Sequence, residues 1–132
     1  MPRVLWQLQH GRPRIEVTIT LGAGGQPVTR TLLADTGAGS QRSPFELVLD
    51  EEDCLLAGGF PFESVTLGGA YSGSFPTYVL RVQLPALGFD QKLKVVGVPS
   101  VPAGLDGIAC FGFLNRFGYG NFGDPEQFGL EQ

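Results

Sequence analysis

The sequence predicts an all-β domain, and three observations carry that prediction. Residues 14–21 alternate strictly, with Ile15, Val17 and Ile19 on one side and Glu16, Thr18 and Thr20 on the other, the signature of a half-buried strand. Glycine and proline are abundant, 20 and 10 in 132 residues, and they punctuate short runs of Val, Thr, Phe and Leu. Helical signals are confined to a few short segments.

The elements follow in order. Gly22-Ala23-Gly24-Gly25-Gln26-Pro27 ends the first strand, and residues 28–34 form a return strand, so the pair is a hairpin. Ser43-Pro44-Phe45-Glu46 has the spacing of a capping box that could open a helix, although 45–49 is equally compatible with a strand. Residues 50–57 make a better short helix: acidic residues fill its first turn and Gly58 can stop it. Residues 65–67 and 78–84 read as strands around a Gly-rich connection at 68–74, with Tyr78, Leu80, Val82 and Leu84 on one face. A strand at 93–98 is broken by Pro99 and Pro102. An apolar strand from Gly107 then runs through Gly112 into a short helix. Residues 117–122 and 127–130 close the chain as a hairpin around Gly123-Asp124-Pro125. No repeat or linker divides the chain, so residues 1–132 are expected to form one domain.

Composition narrows the function. The formal net charge of -4 leaves no basic footprint for nucleic acid. No transmembrane span or signal-peptide core is present, so a cytoplasmic protein without membrane association is expected. Cys54 and Cys110 are expected to be free, buried thiols. His10 is the only histidine, which leaves little for a His-based metal site or a Ser-His-Asp triad. Neither metal nor cofactor is expected. Residues 22–25 lack the Gly-Lys-Ser/Thr of a phosphate-binding loop and read as a turn.

The chemistry concentrates in Leu32-Leu33-Ala34-Asp35-Thr36-Gly37-Ala38-Gly39-Ser40, where an apolar strand delivers one carboxylate into a loop of small residues. No other aspartate precedes Thr-Gly or Ser-Gly. The run resembles the catalytic signature of the aspartic proteases. With one copy per chain, it is similar to the retropepsin-like (retroviral-type) members, in particular the single-domain bacterial ones. The order of elements extends the resemblance from about residue 15 to residue 130: catalytic loop, Gly-rich hairpin as flap, apolar strand and Gly112, short helix, terminal hairpin. Two departures stand out: Gly39 occupies a position where retroviral enzymes carry a second acid, and Ile108-Ala109-Cys110-Phe111-Gly112 is less regular than the family pattern.

The resemblance implies a closed or bent β-sheet of the acid-protease type with one or two short helices and one half-site per chain. It implies an aspartic endopeptidase whose Asp35 pairs with a second Asp35 across a homodimer to activate water on a polypeptide substrate. Thr36 would hydrogen-bond across the two-fold axis, and the Gly37 amide would donate to the Asp35 carboxylate. Leu33, Ala38, Gly39 and Phe111, with Gly68, Gly69, Ala70, Tyr71 and Ser72 of the flap, would contact substrate. Two other readings fit the same residues. One is an inactive retropepsin-fold module that dimerises or binds peptides, since fold does not fix function. The other is an unrelated small β-barrel binding protein in which Asp35 only shapes a turn.

Overall fold

A computed structural model describes residues 2–22 and 24–132 and the backbone, but not the side chain, of Ala70. Ala23, in the expected first turn, lies outside the described residues. Ten strands and two short helices follow one another as β1 (Arg3–Gln7), β2 (Arg14–Leu21), β3 (Gln26–Ala34), β4 (Leu47–Asp50), α1 (Glu51–Leu56), β5 (Glu63–Leu67), β6 (Gly73–Leu84), β7 (Phe89–Val98), β8 (Gly107–Ala109), α2 (Phe111–Leu114), β9 (Gly118–Gly120) and β10 (Gln127–Glu131).

Six strands close a mixed barrel in the order β2-β3-β8-β4-β7-β6, with β6 returning to β2 through Thr18–Gln83 and Ile19–Val82. Strand β8 lies parallel to β3 and antiparallel to β4, and β4 lies parallel to β7. Strand β5 extends the sheet beyond β6, while β1, β10 and β9 form a separate antiparallel sheet.

Alternation explains the layering. Ile15, Val17, Ile19, Leu32, Leu47, Leu49, Leu80, Val82, Val95 and Ala109 fill the barrel together with Phe113 of α2. Their neighbours Leu33, Val48, Val96, Ile108 and Cys110 point the other way and make a second apolar cluster with Phe45 and Val98. Val65, Leu67, Tyr71 and Phe75, from the β5–β6 arm, pack over that second cluster. Four strands are therefore covered on both faces, which is why Leu-Leu-Ala, Leu-Val-Leu, Val-Val and Ile-Ala-Cys run without polar interruption.

The same double burial decides the 43–49 segment. It forms no helix: Phe45, Leu47, Val48 and Leu49 are all buried, and only an extended chain can serve both layers. The Ser43 hydroxyl accepts from the Ser40 amide (2.8 Å), and the Glu46 carboxylate accepts from the Arg116 guanidinium, so neither caps a helix. Helix α1 begins where expected, with Asp50 accepting from the Glu52 amide (2.9 Å), and ends beside Gly58 at φ +81°. Gly112 lies within α2, because β8 ends at Ala109. Both cysteines are free and buried.

Candidate active site

Asp35 is the first residue beyond β3. Its amide donates to Ala109 O (3.0 Å), which carries the β3–β8 ladder one residue further and fixes where the side chain leaves the sheet. The chain then turns: Ala38 N donates to Asp35 O (3.1 Å), and Phe111 N donates to Ala38 O (2.9 Å), locking the loop onto the start of α2. The Gly37 amide donates to Asp35 Oδ1 (2.9 Å). A Cβ on residue 37 would sit 3.3 Å from that oxygen, so glycine gives the amide its close approach. Gly39 has φ +74°, and a Cβ there would meet Ser43 Oγ at 2.8 Å. Position 39 therefore suits glycine, which takes this left-handed turn without a side-chain clash.

Two grooves meet at this loop. The larger, about 570 Å3, lies between the 37–39 backbone and the β5–β6 arm. Its apolar wall comes from Phe45, Val48, Val65, Leu67 and Ile108. The smaller, about 400 Å3, contains Asp35 itself with Arg12, Leu33 and the 100–102 segment. Tyr71 and Ile108 line both, so the grooves adjoin across the 35–39 loop. Tyr71 stands edge-on to Phe75 with ring centroids 6.4 Å apart, and burial raises its phenol pKa.

Of the residues singled out from the sequence, Asp35, Gly37, Ala38, Gly39, Leu33, Gly68 and Tyr71 come together at these grooves. Thr36 is exposed on the loop and, among the described residues, makes no side-chain hydrogen bond. The connection between β5 and β6 contains a 3-10 turn (Gly69–Tyr71) that takes Gly69 and Ser72 to the exposed side, away from both grooves. The side chain of Ala70 lies outside the description. Phe111 lines neither groove: Ile108 and Cys110 do, because strand alternation aims them outward while residue 111 already belongs to α2.

Sequence reasoning also passed over Phe45, Val48 and Arg12. The first two carried a usable signal in their uninterrupted apolar run. Arg12 carried none.

The electrostatics disfavour both cysteines as nucleophiles. Burial, with smaller contributions from the charges of Asp35 and Glu46, pushes the Cys110 thiol up to about 12. Cys54 is likewise pushed up to about 12, mainly by burial. A thiol held protonated is a poor nucleophile. Among the described residues, no group of three His, Cys, Asp or Glu side chains could hold a metal ion, and no helix is long and apolar enough to cross a membrane.

Comparison with protein-family models, with curated proteins and with solved structures finds no match for this chain.

Proposed function

We propose that the chain is the subunit of a retropepsin-like aspartic endopeptidase, acting as a homodimer whose two-fold axis brings two Asp35 carboxylates together. The observation that carries this reading is the setting of Asp35. Its carboxylate accepts from the Gly37 amide at the end of a barrel strand, where two adjoining grooves and an overhanging hairpin meet. A turn-forming aspartate needs none of these surroundings.

One carboxylate cannot both take a proton from water and give one to the peptide carbonyl oxygen. Two carboxylates in contact can, because like charges that close share one proton. A two-fold axis supplies the second copy without a second motif. In the proposed step the ionised Asp35 takes a proton from water as its oxygen bonds to the peptide carbon, and the protonated Asp35 gives its proton to the carbonyl oxygen. The tetrahedral intermediate then collapses: the Asp35 that took the water proton gives it to the amide nitrogen, the C–N bond breaks, the other Asp35 takes back a hydroxyl proton, and a carboxylic acid and an amine leave with the dyad restored. Exposed Thr36 and the exposed rim of the loop are free to meet the partner. The β5–β6 arm would shield the reacting water.

The test is hydrolysis of a peptide library by the purified chain, with Asp35→Asn as control and sedimentation in parallel. Hydrolysis should vanish in Asp35→Asn and should fall more steeply than linearly on dilution. A fully active monomer, or normal turnover by Asp35→Asn, would refute the proposal.

A further inference from the structure

We infer that Arg12 is a specificity-determining residue, binding a carboxylate on an extended peptide laid across Asp35, so that an Asp or Glu side chain is selected at a fixed distance from the scissile bond. The inference rests on the peptide-binding cleft proposed above and names the class of substrate it takes.

The starting observation is an imbalance of ion pairs. The chain has 13 acidic and 9 basic residues, so its cations have carboxylates to spare. Arg3, Arg14, Arg30, Arg81 and Arg116 each pair with one, namely Glu131, Glu16, Asp53, Asp90 and Glu46. Among the described residues Arg12, Arg42 and Lys92 make no such pair, and of these only Arg12 shares the 400 Å3 groove with Asp35. An arginine at a random surface position would be solvated and loosely placed. The Arg12 side chain is also exposed, but the backbone that carries it is fixed. Gln9 and Arg12 exchange two hydrogen bonds (2.9 and 3.0 Å) around a two-residue turn in which His10 and Gly11 both have positive φ, 51° and 74°. A non-glycine residue in that region carries strain that the surroundings must enforce.

Two further bonds tie the turn to the site. Gln9 Nε2 donates to Gly104 O (2.7 Å), joining the turn to the 99–105 loop, which supplies another wall of the groove. Ala34 N donates to Pro13 O (3.0 Å). Arg14 pairs with Leu33 in the antiparallel ladder, so continuing that register sets Arg12 opposite Asp35. The Arg12 backbone is therefore fixed one residue from a contact with β3, and its side chain lines the groove beside Asp35. The planar fork of the guanidinium suits bidentate binding of a carboxylate, and the Leu33 and Ile108 side chains give the peptide stem an apolar bed.

The experiment compares wild type, Arg12→Gln and Arg12→Glu. Cleavage of a random peptide library should show Asp or Glu enriched at a fixed distance from the cut. For matched peptides carrying Glu or Gln there, the wild type should prefer Glu about 10-fold in kcat/KM, the scale of one charge-assisted hydrogen bond. The ratio should fall to near unity in Arg12→Gln and invert toward Lys in Arg12→Glu. Raising the salt should erode the wild-type ratio. Equilibrium binding of the same peptides, read by fluorescence anisotropy, should rank them identically in Asp35→Asn.

An absent preference, or one that persists in Arg12→Gln, overturns the inference. So does an equal loss on all peptides together with a weaker dimer, which would make Arg12 an interface residue. Cleavage without acidic preference removes only the role of Arg12. Charge-selective binding without cleavage removes only the peptidase reading.

Discussion

Gly107→Ala tests the framework that holds the site. Gly107 is the first residue of β8, squeezed between Leu32 of β3 and Leu49 of β4 in the two ladders. An added Cβ would lie 2.1 Å from Val48 O, 2.9 Å from Leu49 Cδ2 and 3.1 Å from Leu32 Cδ2. The leucine tips can swing aside. The carbonyl cannot, because moving it moves β4 and with it Val48, one wall of the larger groove. Overpacking of this kind costs about 1–3 kcal/mol, and a backbone clash belongs at the upper end. Alanine returns about 0.5–1 kcal/mol of that, since glycine loses more chain entropy on entering a strand.

The net expectation is a loss of about 2 kcal/mol. With a urea slope of about 2 kcal/mol/M, the unfolding midpoint should fall by about 1 M with the slope unchanged. Protein concentration must be held fixed, because an associating protein gains apparent stability by mass action. Gly24→Ala is the control: nothing lies within 4 Å of its Cβ, and the substitution should be neutral or stabilising by up to about 1 kcal/mol. A Gly107→Ala variant as stable as wild type would mean that β4 and β8 are not neighbours in the way described.

Three further outcomes follow from the same structure. Phe113 is fully buried and sits edge-on to Phe89 and Phe117, with centroids 5.7 and 5.4 Å away, so Phe113→Ala should cost about 3–5 kcal/mol in equilibrium unfolding. Cys54 and Cys110 should resist a thiol reagent at pH 8 until the chain unfolds. Their folded pKa is raised from 9.0 to about 12, so their contribution to stability is full below pH 9 and is lost as pH climbs toward 12; immediate native-state labelling would contradict their burial. Hydrogen exchange over residues 66–78 should slow when a statine-type inhibitor is bound. Unchanged exchange there, beside protection at 35–39, would show that the β5–β6 arm is not the flap.

Much of this architecture was legible because burial on one face writes a period of two into the chain. Residues 14–21 and the Tyr78, Leu80, Val82, Leu84 series emerged as strands for that reason, and each inward side chain is buried. The remainder depends on partners distant in sequence. Strand β1 pairs Arg3 with Glu131, across nearly the whole chain, and its alternation is only between half-buried and exposed, so nothing local announces it. Strand β6 reaches back to Gly73 through Pro76, a residue that argues against a strand unless, as here, it pairs near the end of the sheet. Asp35 was visible because a tripeptide and an apolar run suffice to mark it. Arg12 was not, because its place beside Asp35 depends on the turn at residues 9–12 and on the register that the fold sets across to β3.

Two-fold symmetry turns that difference into a constraint on substrate. In the proposed homodimer the two Asp35 residues must flank the axis closely to share a proton, so they act as one centre. Arg12 lies just before β2, beside Asp35 in the register but off the axis, so it occurs twice, once on each side of the centre. A peptide has direction, whereas the two arginines are equivalent. Each therefore meets a different side of the scissile bond at about the same distance from it. Peptides with acids at both positions should then be cut faster than peptides with one, and exchanging a single acid from one side to the other should change the rate less than removing it. Linked heterodimers carrying one Arg12→Gln subunit would lose the double preference and keep the single one. A linked heterodimer that loses both would show that the arginines act on the dimer and not on the peptide.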